Sequence, residues 1–222
     1  MSATRLILIR HTQPSAAARG RCYGVLDFGL SARGLRHARH IARTLDAITL
    51  HAVYTSPRLR ARHLAEPLAR LHGLDPIIDE NLRELDFGDL EGMTYEEIER
   101  QHPGIFRRWM ATPTEVKFPG GDSYRILKGR ALAALAAIRA RHNHETVAVV
   151  THAGTVRAIV AECLSLPDHA IFRLDQSYGA ISIIDWVDEN PIVRLLNGQA
   201  SMVARKRRGF LPSYEPTTAR QP

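Results

Sequence analysis

The chain of 222 residues lacks the patterns of several large protein classes. Its two cysteines, Cys22 and Cys163, are too few for a disulfide framework, and no Cys or Cys/His spacing typical of a zinc site surrounds them. No apolar run is long enough to span a membrane, and residues 6–9 are too few for the core of a signal peptide. We therefore expect a cytoplasmic protein with no metal, no other cofactor and no membrane partner.

The chain also lacks internal repeats and any linker that would divide it. Apolar residues make up 45% and charged residues 24% of the sequence, which is typical of a globular protein that folds unaided. We predict one domain over residues 1–204, which is long enough to bury a sizeable core, and a basic, flexible tail over residues 205–222. The net charge of +7 fits nucleic acid, an anionic metabolite or only a basic surface, so it decides nothing alone.

Short β-branched runs alternate with segments of helical periodicity. The runs predict strands at 4–9, 52–55, 76–79 and 146–151, and a terminal hairpin formed by 180–187 and 191–196. Helices are predicted after the N-cap Ser31 and over 59–72, 123–141 and 153–164. This alternation indicates the α/β class, with a mainly parallel, doubly wound sheet flanked by helices on both faces. Ligands of such sheets bind beyond the carboxyl ends of the strands.

Histidine and arginine residues follow several of the predicted strands. Arg10 and His11 follow the first strand, Arg60 comes shortly after the second, and His152 follows the fourth, where a helix begins. Because the chain has 11 histidines, any one of them is more often structural than catalytic, and strand-end placement favours only His11 and His152. Arginine side chains and helix N-termini bind phosphate, so this edge predicts a phosphate site.

An acidic segment with two glycines, residues 82–92, has the composition of a loop. A plain surface loop is the simplest interpretation of this segment alone. Beside a cluster of arginine and histidine residues, however, one of its carboxylates could donate the proton that cleavage of a phosphoester requires.

Four motifs in order resemble the histidine phosphatase, or phosphoglycerate mutase-like, superfamily. The resemblance spans residues 5–187 and departs from the usual pattern at Gln13, at 63–64 and at Ala153, none of which removes a catalytic group. The motifs are Arg10-His11-Thr12, Ser56-Pro57-x-x-Arg60-Ala61, Leu82-Arg83-Glu84-x-x-Phe87-Gly88-x-x-Glu91-Gly92 and Thr151-His152-Ala153-Gly154.

The resemblance implies a role for each of five residues. His11 would be the nucleophile that carries the phosphoryl group, and Glu84 would act first as the acid and then as the base. Arg10 and Arg60 would hold the phosphoryl oxygens, and His152 would donate a hydrogen bond to them. The implied activity is metal-independent hydrolysis of a phosphomonoester, in which positioning and electrostatics do most of the work.

A segment that contains Cys22, Tyr23 and Gly24 is similar to the α-ribazole phosphatase branch of this superfamily. The similarity places Tyr23 and Gly24 at the edge of the pocket, and Ala153 is a further candidate for substrate binding. Residues 119–123, Pro-Gly-Gly-Asp-Ser, resemble a segment of the phosphatase branches that sits above the pocket at a helix start, although a plain turn with an N-cap explains them as well. Residues 93–125 are expected to form a cap-like insertion.

The expected substrate is therefore a small phosphorylated metabolite, first of all α-ribazole 5′-phosphate in cobalamin biosynthesis. A broad-specificity sugar or nucleotide phosphatase and a phosphoglycerate mutase-like enzyme are the alternatives, and a phosphohistidine-protein phosphatase ranks last among the enzymes. A phosphate-sensing or nucleic-acid-binding module is the non-enzymatic alternative, supported only by the basic tail. We expect no nucleic-acid partner, and the chain could be a monomer or a homodimer.

Overall fold

The computed structural model describes residues 4–206, in which six strands form a single sheet. The sheet order is β3-β2-β4-β1-β5-β6. The first four strands in this order are parallel, β5 runs antiparallel to β1, and β6 runs antiparallel to β5. The mainly parallel sheet and the terminal hairpin are thus confirmed. The strands are β1 (Thr4–Arg10), β2 (Ala52–Thr55), β3 (Pro76–Ile78), β4 (Thr146–Thr151), β5 (Ile181–Val187) and β6 (Asn190–Gly198).

Seven α-helices connect or follow these strands within residues 4–206. The N-cap prediction at Ser31 is confirmed, because its hydroxyl oxygen accepts a 3.0 Å hydrogen bond from the Gly34 N–H. Ser123 caps α5 in the same way through the N–H of Ile126. The helices are α1 (Ala32–Leu45), α2 (Leu59–Leu71), α3 (Tyr95–Gln101), α4 (Pro103–Ala111), α5 (Tyr124–Arg141), α6 (Ala153–Cys163) and α7 (Ala200–Lys206).

The two faces of the sheet pack against different helices. In β1, Leu6 and Leu8 pack into a core with α5 and α6, whereas Ile7 and Ile9 pack into a second core with α1 and α2. Successive side chains of a strand point to opposite faces, so a strand that is covered on both sides must be apolar throughout. This double burial explains the uninterrupted apolar runs of the sequence and fixes the positions of the residues that follow each strand.

A third apolar cluster lies in the segment between β3 and α5. Ile98 of α3 and Trp109 of α4 pack there with Phe118 and Leu90. The sequence does not predict α3 or α4 individually, although both fall within the expected cap-like insertion at 93–125. A capping box in which Thr94 and Glu97 bond each other's backbone N–H begins α3.

No helix within residues 4–206 is both long enough and apolar enough to cross a bilayer. The first two residues of the expected tail, Arg205 and Lys206, belong to the backbone of α7. The rest of that tail, residues 207–222, lies outside the described residues.

Candidate active site

The carboxyl ends of β1, β2 and β4 bring Arg10, His11, Arg60 and His152 to one edge of the sheet. The ring centroids of His11 and His152 are 5.2 Å apart. His11 is 2% exposed, and His152 and Arg60 are fully buried. The backbone N–H of His11 donates to the Thr151 carbonyl at 2.9 Å, which continues the β1–β4 pairing beyond the strand. The sheet therefore sets the spacing of the two imidazoles directly.

The hydrogen bonding of His11 identifies its neutral tautomer. Nδ1 of His11 lies 2.8 Å from the Thr12 carbonyl oxygen, and a carbonyl can only accept, so Nδ1 carries the proton. Burial lowers the pKa of His11 well below its usual value, and the charges of Arg10 and Arg60 lower it further. Nε2 thus keeps an unprotonated lone pair, which is what a nucleophilic imidazole needs.

His152 has the opposite tautomer for the same kind of reason. Its Nδ1 accepts a 3.3 Å hydrogen bond from Nε–H of Arg60, so the ring proton is on Nε2, which donates to the Ser56 hydroxyl oxygen at 2.8 Å. Burial lowers the pKa of His152 well below its usual value, with Arg60 and His11 adding to the effect. To donate to a phosphoryl oxygen, His152 would have to share or give up its bond to Ser56.

Arg10 has a free donor beside these imidazoles. Its terminal nitrogen donates to the Gln176 carbonyl, and its guanidinium lies 4.0 Å from the centroid of the Tyr178 ring. Its buried Nε–H has no hydrogen-bond partner among the described residues. An unpaired buried N–H is costly, so this donor is suited to bond an anionic oxygen of a ligand.

The loop after β3 holds the carboxyl group of Glu84 by backbone contacts. One carboxyl oxygen accepts the Leu85 N–H at 2.9 Å, and the other accepts the Gly154 N–H at 3.1 Å in the first turn of α6. A side chain at Gly154 would place Cβ 2.3 Å from a Glu84 oxygen, so this approach requires glycine. Arg130 of α5 anchors the loop from behind by donating to the carbonyls of Arg83 and Glu84.

Arg60 and Glu91 together clamp the loop of residues 23–26. The guanidinium of Arg60 donates to the carbonyls of Leu26 and Gly24, both at 2.8 Å. The Glu91 carboxylate accepts the N–H groups of Gly24, Val25 and Leu26 at 2.8 to 3.1 Å. Arg60 therefore has structural contacts in addition to the phosphoryl contact that the resemblance predicts for it.

Most of the predicted residues border one cavity of about 170 Å³, lined among others by Arg10, His11, Tyr23, Arg60 and Glu84. Three further candidates do not line it. His152 lies buried behind it against His11, Gly24 is held in the clamped loop, where a Cβ would meet the Leu85 carbonyl, and Ala153 begins α6.

Four further residues contact the site, and the sequence predicts no role for them: Ser56, Glu91, Arg130 and Tyr178. Ser56 and Glu91 stand within the quoted motifs, so their positions were available as a signal. Arg130 has the pattern of an ordinary helix residue, and Tyr178 lies between elements without any periodic pattern. Within residues 4–206, no group of three or more His, Cys, Asp or Glu side chains could hold a metal ion.

Comparison with known proteins agrees with this geometry. Residues 6–199 match the family model of the histidine phosphatase superfamily, branch 1. Phosphoserine phosphatase 1 of Hydrogenobacter thermophilus is 32% identical over 193 residues, which cover 87% of this chain and 92% of the relative.

Two solved structures share the fold at 25% identity, and each is aligned over 89% of this chain. A protein of Escherichia coli provisionally assigned as an α-ribazole-5′-P phosphatase has a TM-score of 0.82 over 97% of its own chain. The mycobacterial glucosyl-3-phosphoglycerate phosphatase has a TM-score of 0.81 over its full length. The chain therefore belongs to the histidine phosphatase superfamily and is a phosphoric monoester hydrolase.

Proposed function

We propose that the chain hydrolyses phosphomonoesters through a covalent phosphohistidine on Nε2 of His11. The observation that carries this proposal is the tautomer of His11, which keeps Nδ1 protonated and leaves Nε2 with its lone pair in a buried pocket. A neutral imidazole in this state can attack phosphorus without first losing a proton. Arg10, with its unpaired Nε–H, and Arg60 supply positive charge for the phosphoryl oxygens.

The first step forms the bond between Nε2 of His11 and phosphorus and breaks the bond from phosphorus to the ester oxygen. The leaving oxygen takes a proton from the Glu84 carboxylic acid, which becomes a carboxylate. In the second step this carboxylate removes a proton from water, and the resulting oxygen nucleophile attacks phospho-His11. The products are phosphate, neutral His11 and the acid form of Glu84, so every proton is returned.

For the substrate, α-ribazole 5′-phosphate remains the first candidate. It is supported by the segment of residues 22–24 and by the fold shared with the Escherichia coli protein. Phosphoserine is the second candidate, because a phosphoserine phosphatase is 32% identical across nearly its whole length. Both are small phosphorylated metabolites, the class of substrate that the resemblance implies.

The covalent step is tested by trapping the phosphorylated chain with ³²P-labelled substrate in the presence of EDTA. The label should be acid-labile and base-stable, as expected of phosphohistidine, and should be absent from His11→Ala. His40→Ala is the matched control, because His40 is an exposed histidine on α1 that does not line the catalytic cavity. Retained label or turnover in His11→Ala would refute the mechanism, and activity that requires an added metal would do the same.

A further inference from the structure

A second and larger cavity of about 580 Å³ lies next to the catalytic cavity. Four residues, Arg10, Arg21, Tyr23 and Tyr95, line both cavities. The rest of the larger cavity is formed by the segment between β1 and Cys22, by the start of α1 and by Tyr178. A substrate whose phosphoryl group lies at His11 can therefore extend its remaining atoms into this space.

Among the residues that the structure describes, the lining of the larger cavity includes four arginines and no acidic side chain. Arg21 is partly neutralised, since it lies 3.7 Å from the Glu97 carboxylate. The side chains of Arg19 and Arg33 are exposed to solvent and make no hydrogen bond or ion pair with any residue between 4 and 206. The four arginines of the lining are Arg10, Arg19, Arg21 and Arg33.

The N-terminus of α1 adds to this positive charge. Ser31, Ala32 and Arg33 line the cavity, so the first turn of this 14-residue helix borders it. The N–H groups of Gly34 and Leu35 bond Ser31, whereas those of Ala32 and Arg33 have no hydrogen-bond partner within the described chain. Free N–H groups and the helix dipole both favour a negative ligand at this position.

We propose that this cavity binds a second anionic group of the substrate, a carboxylate or a second phosphate, through Arg19 and Arg33. The proposal rests on the function proposed above, because it takes the reacting phosphoryl group to lie at His11. The subsite would select phosphomonoesters that carry a second negatively charged group several atoms from the ester phosphate. α-Ribazole 5′-phosphate has no such group, whereas phosphoserine carries a carboxylate, so the subsite favours the second substrate candidate over the first.

The test compares kcat/KM within pairs of substrates that differ in the second anion. The carboxylate pair is 3-phosphoglycerate and glycerol 3-phosphate, and the phosphate pair is fructose 1,6-bisphosphate and fructose 6-phosphate. The wild-type chain should prefer the member with the second anionic group in at least one pair, and the pair with the larger preference identifies that group as carboxylate or phosphate. In Arg19→Gln/Arg33→Gln that preference should fall by about tenfold or more, as loss of charge-assisted hydrogen bonds predicts.

The matched control is Arg36→Gln/Arg39→Gln, which removes the same charge from exposed positions of α1 that do not line the cavity. It should retain the wild-type preference, and an equal loss in this control would mean that only overall charge matters and would overturn the subsite. No preference in either wild-type pair would also overturn it, while leaving phosphomonoester hydrolysis intact.

Binding calorimetry separates this proposal from the proposed function. In a His11→Ala background, 3-phosphoglycerate or fructose 1,6-bisphosphate should bind more tightly than the counterpart that lacks the second anionic group, and the double substitution should remove the difference. That result would support the subsite even if no ester were hydrolysed, and equal binding of both members in both pairs would reject it.

Discussion

Replacement of Gly154 by alanine tests whether the position of the Glu84 carboxyl group limits the chemistry. The added Cβ would lie 2.3 Å from a Glu84 oxygen, whereas ordinary contacts begin near 3.4 Å, so the carboxyl group must retreat by about 1 Å. A misplacement of ~1 Å costs on the order of 10²-fold in rate, which corresponds to about 2.7 kcal/mol in the activation barrier. We expect this loss in the single-turnover rate at which glycerol 3-phosphate phosphorylates His11.

The loss should depend on the leaving group. p-Nitrophenolate leaves with little need of a proton. With p-nitrophenyl phosphate as substrate, the single-turnover rate should therefore fall by less than about tenfold. The matched control is Gly129→Ala in α5, where a Cβ meets nothing within 4 Å. It should leave both rates unchanged and stabilise the helix by up to ~1 kcal/mol. Equal slowing of both substrates by Gly154→Ala, or comparable slowing by Gly129→Ala, would refute the reasoning.

Three further predictions follow from the contacts of single residues. Arg130→Gln should lower the free energy of unfolding in urea by about 1.5–3 kcal/mol and slow the phosphorylation of His11, because the largely buried guanidinium holds the backbone of Glu84. An unchanged midpoint of urea unfolding would contradict this. Burial raises the pKa of the Cys22 and Cys163 thiols to about 12, so iodoacetamide at pH 8 should alkylate both at least ~100-fold more slowly than free cysteine, as mass spectrometry can show. Because burial and the charges of Arg10 and Arg60 hold the pKa of His11 well below 6.5, its ¹⁵N NMR shifts should still show the neutral Nδ1–H form at pH 6. A titration midpoint at or above 6.5 would show that these groups do not lower the pKa of His11.

The sequence predicts the sheet well because burial on both faces leaves a strong signal. β1 and β4 are apolar at every central position, and all six predicted strands are confirmed with ends that shift by no more than two residues. α3 and α4 were not predicted, since they are short and pack mainly on Trp109 and Phe118 of their own region. The Thr94–Glu97 capping box and Pro103 mark where these helices begin. Such signals are also common in loops, so they indicate helices only once the packing of the segment is known.

The site was predictable where a residue follows a strand, and less so where a contact depends on loops. The places of His11 and His152 follow from the ends of β1 and β4. The tautomers of the two rings, by contrast, depend on the carbonyl of Thr12 and on the side chains of Arg60 and Ser56, whose distances no sequence pattern specifies. The catalytic roles of these residues remain predictions.

The clamp on residues 23–26 joins segments that are distant in the chain. Arg60 comes from the start of α2 and Glu91 from the loop after β3, and each bonds a different set of backbone groups in the same four residues. This loop, whose Tyr23 lines both cavities, therefore cannot take its place in a partly folded molecule that lacks either segment. A ligand that contacts Tyr23 binds only the complete fold, so it raises the unfolding temperature of the whole domain according to its affinity.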